Sequence, residues 1–125
     1  MSISSQLVFN LRSGDGYMTS SVNGRIIKWN KQCNIVKEIK PFSAHTLIKL
    51  VNDELVAIAQ NGSLMIFDLQ LKIVKKFTSS QQIPSCISGN DKYIAYGSYG
   101  GCVRFYSRHG SNEAKVSKAK SLTLN

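Results

Sequence analysis

Chemistry in this chain would have to come from two histidines, His45 and His109, and three thiols, Cys33, Cys86 and Cys102. A thiol nucleophile needs a base to take its proton and a third group to orient that base. Cys102 with His109, or Cys33 with His45, supplies the first two, but no acid stands at a recognisable place for the third. The odd cysteine count and the lack of any C-x-x-C pair suggest neither a disulfide framework nor a zinc site. Two histidines and scattered thiols are also too few for a metal centre. No G-x-S-x-G, H-E-x-x-H, P-loop or G-x-G-x-x-G occurs. The Gly-rich stretches Gly14-Asp15-Gly16 and Gly97-Ser98-Tyr99-Gly100-Gly101 fall where hairpin turns are needed. The expectation is therefore a protein that is not an enzyme and carries no metal or cofactor.

With catalysis set aside, the spacing of Asn, Gly and aromatic residues becomes the informative pattern. Three segments align without gaps: Asn23-Gly24 through Trp29-Asn30, Asn61-Gly62 through Phe67-Asp68, and Gly100-Gly101 through Tyr106-Ser107. Gly24, Gly62 and Gly101 are 38 and 39 residues apart. A period near 40 residues, with a turn, an apolar run and a closing aromatic, points to propeller blades that bury their faces only by stacking. Gly24, Trp29, Gly62, Phe67, Gly101 and Tyr106 are the expected structural positions. The units run about 1–40, 41–79 and 80–118, followed by a basic tail at 119–125.

Each unit holds four short strand-like runs. They are 7–11, 17–21, 25–30 and 35–39; then 46–51, 55–60, 63–68 and 73–78; then 85–88, 93–98, 102–107 and, weakly, 114–117. Tight polar turns between them indicate antiparallel all-β structure, twelve strands in three four-stranded blades. Cys86 and Cys102 fall inside strands, where free Cys behaves as a small buried hydrophobe. The third run of each unit is apolar on both faces, as suits a blade sandwiched between neighbours. Lys28 and Arg104 interrupt that apolarity, and would cap the outermost faces if the stack ended at these blades.

Sixteen Lys/Arg against seven Asp/Glu give a net charge of +9, which could attract nucleic acid, anionic lipid or acidic proteins. Arg25, Arg104 and Tyr99 flank the turns between second and third strands, whereas Asp15, Asp53, Glu54 and Asp91 fall in the turns between first and second strands. A basic face with Tyr99 available for stacking is the nucleic-acid reading. No run approaches the roughly 20 apolar residues of a membrane span. Met1-Ser2-Ile3-Ser4-Ser5-Gln6 lacks a secretory-signal pattern. Reduced thiols then fit a cytoplasmic or nuclear protein.

Ser20-Ser21-Val22-Asn23-Gly24 through Trp29-Asn30, Ala59-Gln60-Asn61-Gly62 through Phe67-Asp68, and Tyr96 through Ser107 together resemble WD40 repeats over residues 5–118. The closing dipeptides depart from Trp-Asp: Trp29-Asn30, Phe67-Asp68 and Tyr106-Ser107. The family's Gly-His is reduced to Ala44-His45, and its His, Ser/Thr, Asp and Trp network lacks the Asp, replaced by Asn23, Asn61 or Gly100. Apolar packing should therefore outweigh polar networking. The resemblance implies a protein-interaction scaffold, with an RNA- or ribonucleoprotein-associated propeller as the alternative. Partner contacts are expected at Asn23, Arg25, His45, Asn61, Tyr99 and Arg104. The paired-arginine signature of lipid-binding propellers is absent from Tyr106-Ser107-Arg108-His109-Gly110, so no membrane partner is expected. Three blades cannot close a ring, so protein partners, further blades or a homo-oligomer should cover the ends.

Overall fold

The computed structural model describes residues 4–8, 16–43, 46–79, 81–99, 101–110 and 115–118. Asp15, His45, Gly100 and the tail at 119–125 lie outside them. The described residues form twelve strands and no helix: β1 (Ser4–Val8), β2 (Gly16–Ser21), β3 (Ile26–Asn30), β4 (Ile35–Ile39), β5 (Thr46–Val51), β6 (Glu54–Ala59), β7 (Leu64–Phe67), β8 (Ile73–Lys76), β9 (Pro84–Gly89), β10 (Tyr93–Ser98), β11 (Cys102–Ser107) and β12 (Lys115–Lys118). Each consecutive set of four makes one antiparallel sheet in chain order. Strand β1 starts three residues before its apolar run, through an irregularity between Ser4 and Gln6 that shifts its pairing on β2.

The turns explain the period. Gly24, Gly62 and Gly101 donate their N–H groups to the carbonyls of Ser21, Ala59 and Ser98, at 3.1, 2.8 and 3.1 Å. Their φ values are +87°, +87° and +79°. A four-residue turn closing on left-handed Gly leads the chain into the next strand as a bulge. Asn23 and Asn61 keep negative φ, so Asn-Gly does not form the mirror-image two-residue turn here. That turn appears at Asn52-Asp53, with φ of +47° and +62°, between the paired Val51 and Glu54.

In blades 1 and 2 the next turn explains the polar residue after the aromatic. Asn30 Oδ1 accepts from the N–H groups of Gln32 and Asn34, both at 3.0 Å. Asp68 Oδ1 accepts from those of Gln70 and Lys72, both at 2.9 Å. Such side-chain acceptors stabilise a tight reversal by replacing the backbone partners the strand has just lost.

Two cores hold the blades together. Met18 and Ile26 of blade 1 pack with Ile48, Leu55, Ala57, Ala59 and Phe67 of blade 2, joined by Phe42 from the connector. Val56, Ile58, Leu64 and Ile66, on the opposite face of blade 2, pack with Ile94, Tyr96 and Tyr106 of blade 3. Strand β5 lies against both β1 and β9, so the first strands of the blades are innermost and β4, β8 and β12 outermost.

Candidate functional site

Of the described residues expected to meet partners, Asn23, Arg25, Asn61 and Tyr99 are spread along one end of the blades. Asn23 Oδ1 accepts from the Ser21 hydroxyl and, at 3.3 Å, from the Arg25 N–H. The Arg25 guanidinium is tied to Glu38, which brings an acid to the end expected to be acid-poor. Asn61 Oδ1 accepts from the Ser63 N–H at 3.0 Å, so it stabilises its own turn. Tyr99 is 76% exposed, beside a cleft of about 290 Å³ lined by Leu47, Gln60, Ile83, Pro84 and Ser85. Arg104 sits inside β11 opposite Tyr96, on the face turned to blade 2, with a buried Nε that has no hydrogen-bond partner. Blade 2 separates Arg25 from Arg104 and Tyr99. No single basic patch forms from these three.

The thiol and imidazole groups are also dispersed. Cys102 begins β11 and the exposed His109 follows its far end, so the sheet's length divides them. Cys86 lies on β9 yet is exposed, because its face of blade 3 has no neighbour. Cys33 takes a left-handed φ of +64° in the β3–β4 turn and accepts a 2.8 Å hydrogen bond from the Tyr17 hydroxyl. That bond, foremost, and then desolvation hold the Tyr17 pKa above its usual value. Among the described residues no cluster of metal-ligating groups occurs.

Polar contacts concentrate instead at the joints between blades, at the end carrying the β3–β4 type turns. Lys28 Nζ donates to the Leu69 carbonyl at 2.6 Å, and Lys37 Nζ to the Gln70 carbonyl at 3.0 Å. Lys75 Nζ donates to the carbonyls of Ser107, Arg108 and Gly110, at 3.3, 3.2 and 2.9 Å. Blades 1 and 2 thus send ammonium groups onto the turn of the blade that follows each. Lys28 faces blade 2 and Arg104 also faces blade 2, so neither caps an outermost face, contrary to the expectation from the sequence. Chain alternation separates two faces of a strand but does not say which neighbour covers which. Arg108, 5% exposed, pairs with Glu54 of blade 2 and donates from Nη1 to the Asn90 carbonyl at 2.8 Å. The sequence pattern did not reveal this pair, because its two residues are 54 positions apart. The recurrence of Lys37 at Lys75, in step with the glycines, was a visible signal for the lysine caps.

No family model and no curated protein matches the sequence. Solved structures do. The β-propeller domain of Myceliophteria thermophila Cps50 (Swd1) gives a TM-score of 0.81 at 19% identity, covering 95% of this chain and 42% of that one. Chaetomium thermophilum Raptor gives 0.82 at 18% identity, covering 99% and 12%. The RRP9 WD40 repeats give 0.76 at 15% identity, covering 92% and 38%. The fold is that of a WD40-type β-propeller. The chain spans less than half the length of each of these three structures.

As WD40-type blades, the three units differ most at one diagonal pair of positions. In blade 1 the Trp29 indole N–H donates to the Thr19 hydroxyl at 2.9 Å, a surviving fragment of the polar network. Blade 2 replaces the pair by Ala57 and Phe67, both buried. Blade 3 replaces it by Tyr96 and Tyr106, whose rings stack at 6.0 Å between centroids. The two end faces remain. On blade 1 the face away from blade 2 carries Tyr17, Ile27 and Trp29, with the Tyr17 and Trp29 rings stacked at 6.4 Å. On blade 3 the face away from blade 2 carries Tyr93, Ala95, Val103 and Phe105, with Tyr93 and Phe105 exposed.

Proposed function

We propose that the chain is a non-catalytic protein-interaction scaffold, a part-propeller completed by other blades in a homo-oligomer or a larger complex. The carrying observation is the contrast between faces. Leu55, Ala57, Ile58 and Ile66, divided between the two sides of blade 2, are no more than 1% exposed. Ile27, Trp29 and Val103 on the end faces are half-buried, and Phe105 is 39% exposed. At about 25 cal/mol per Å² of apolar surface, covering a few hundred Å² on each end is worth on the order of 10 kcal/mol before the entropic cost of association. Sedimentation equilibrium at micromolar concentration tests the reading: association is expected, and a stable, well-folded 13.8 kDa monomer with no partner contradicts it.

Within that reading, Tyr99 above its cleft is the best-presented partner contact, with Asn23, Arg25 and Asn61 along the same end. His45 and Arg104 complete the proposed set. No described helix is long and apolar enough to cross a membrane. A cytoplasmic or nuclear setting fits the free thiols. The alternative, an RNA-associated propeller, draws on the +9 charge. Arg25 already bound to Glu38 counts against it. RNA affinity falling steeply with added salt is its signature.

A further inference from the structure

The two internal joints show what each end face is built to meet. Carbonyls at the outside of a tight turn are left with unused lone pairs, and an ammonium group with three donors can satisfy several at once. Lys37 stands opposite Lys28 in the β3–β4 pairing, and Lys75 opposite Ile66 in the β7–β8 pairing. Both then reach the β3–β4 type turn of the following blade. In blade 3 the residue at this register position, opposite Phe105, is Lys115. No described blade lies beyond it.

The opposite end of the molecule carries the matching half. The turn of blade 1 runs through Lys31, Gln32 and Cys33, and its Lys31 and Gln32 correspond to Leu69 and Gln70, the residues that Lys28 and Lys37 cap. No described side chain caps the carbonyls of Lys31 or Gln32. The apolar positions match in the same sense. Val103 and Phe105 correspond to Leu64 and Ile66, which meet the following blade. Ile27 and Trp29 correspond to Met65 and Phe67, which meet the preceding one. Donor and acceptor halves of one joint therefore sit on a single chain, at its two ends.

Resting on the scaffold reading above, we infer that a second copy of this chain docks head to tail, blade 3 of one copy against blade 1 of the other. Val103 and Phe105 of the first copy lie on Ile27 and Trp29 of the second, with the register position of Lys115 brought to the Lys31–Gln32 turn. The joint is heterologous, so each copy uses two different surfaces.

That asymmetry gives the test. Ile27→Lys disables only the blade 1 face and Phe105→Glu only the blade 3 face; circular dichroism checks that both remain folded. Each variant alone should sediment as a monomer where the wild type associates. An equimolar mixture should recover a one-to-one pair, because one joint is intact. Lys115→Ala should weaken wild-type association about tenfold, the worth of a charge-assisted hydrogen bond. Association of either face variant alone, or a mixture that stays monomeric, overturns the head-to-tail joint and leaves the scaffold reading standing. A wild type that is monomeric throughout overturns both. If a face variant unfolds, Lys115→Ala decides, and unchanged association overturns the inference.

Discussion

Blade 2 and the blades flanking it come from one repeat but live in different surroundings. Blade 2 is apolar on both faces and buried on both; blades 1 and 3 have nearly the same third-strand pattern with one neighbour each. The repeat specifies a surface, and position in the stack decides whether that surface is core or interface. The two internal joints also differ. The first includes the small side chains of Ala57 and Ala59. The second is aromatic, with Phe77 set edge-on to Tyr106 at 4.9 Å, and is joined by the Arg108–Glu54 pair.

The sharpest way to break this comparison is truncation on each side of it. Ile58→Ala, inside the second joint, should cost about 3 kcal/mol, the lost transfer energy plus a cavity. Ile27→Ala, on an end face, should cost less than about 1 kcal/mol in dilute solution, as surface changes do. Urea unfolding of both variants measures the difference, and equal losses would mean that blade 1 is not half-covered.

Arg108→Ala isolates the second joint. It removes the ion pair and leaves Glu54 and the Asn90 carbonyl without it, for a loss of about 2 kcal/mol; Glu54 remains 25% exposed, which keeps the cost below that of a fully buried pair. Pairing it with Glu54→Gln in a double-mutant cycle should show strong coupling. Additive losses would make Arg108 a packing residue only.

These two predictions divide along what the chain pattern discloses. The three blades, the Gly turns and the equivalence of Trp29, Phe67 and Tyr106 are local or periodic, so they can be read along the chain. Exposure of Cys86 and the inward turn of Lys28 and Arg104 depend on which face has a neighbour. Period-2 alternation does not encode that. The sequence places a turn at Asn52-Asp53 but not its type, because the left-handed geometry occurs there without Gly. Leu71 likewise adopts φ of +60°, held there by burial in the first core rather than by its own preference.

A smaller effect is expected at the turns themselves. Asp68→Ala removes the acceptor of two N–H groups and should cost about 1 kcal/mol, as lost caps do; Asn30→Ala, in the less buried blade 1, should cost no more. Thermal unfolding compares them. The smallest effect concerns Tyr17 at the blade 1 end. Its pKa is raised by the Cys33 bond. The stabilisation it provides is full below its ordinary value near 10 and fades as pH rises through the higher folded-state value. Cys33→Ala should flatten that alkaline decline, and an unchanged pH profile would show that the bond contributes nothing.

The central claim is that the end faces are interface and the middle blade is core. Amide hydrogen exchange across a protein-concentration series tests it most directly. Amides of β6 should be strongly protected at every concentration, whereas those of β2, β3 and β11 should gain protection as concentration rises. Protection of β2, β3 and β11 equal to that of β6 in the most dilute sample, with no dependence on concentration, would contradict the account.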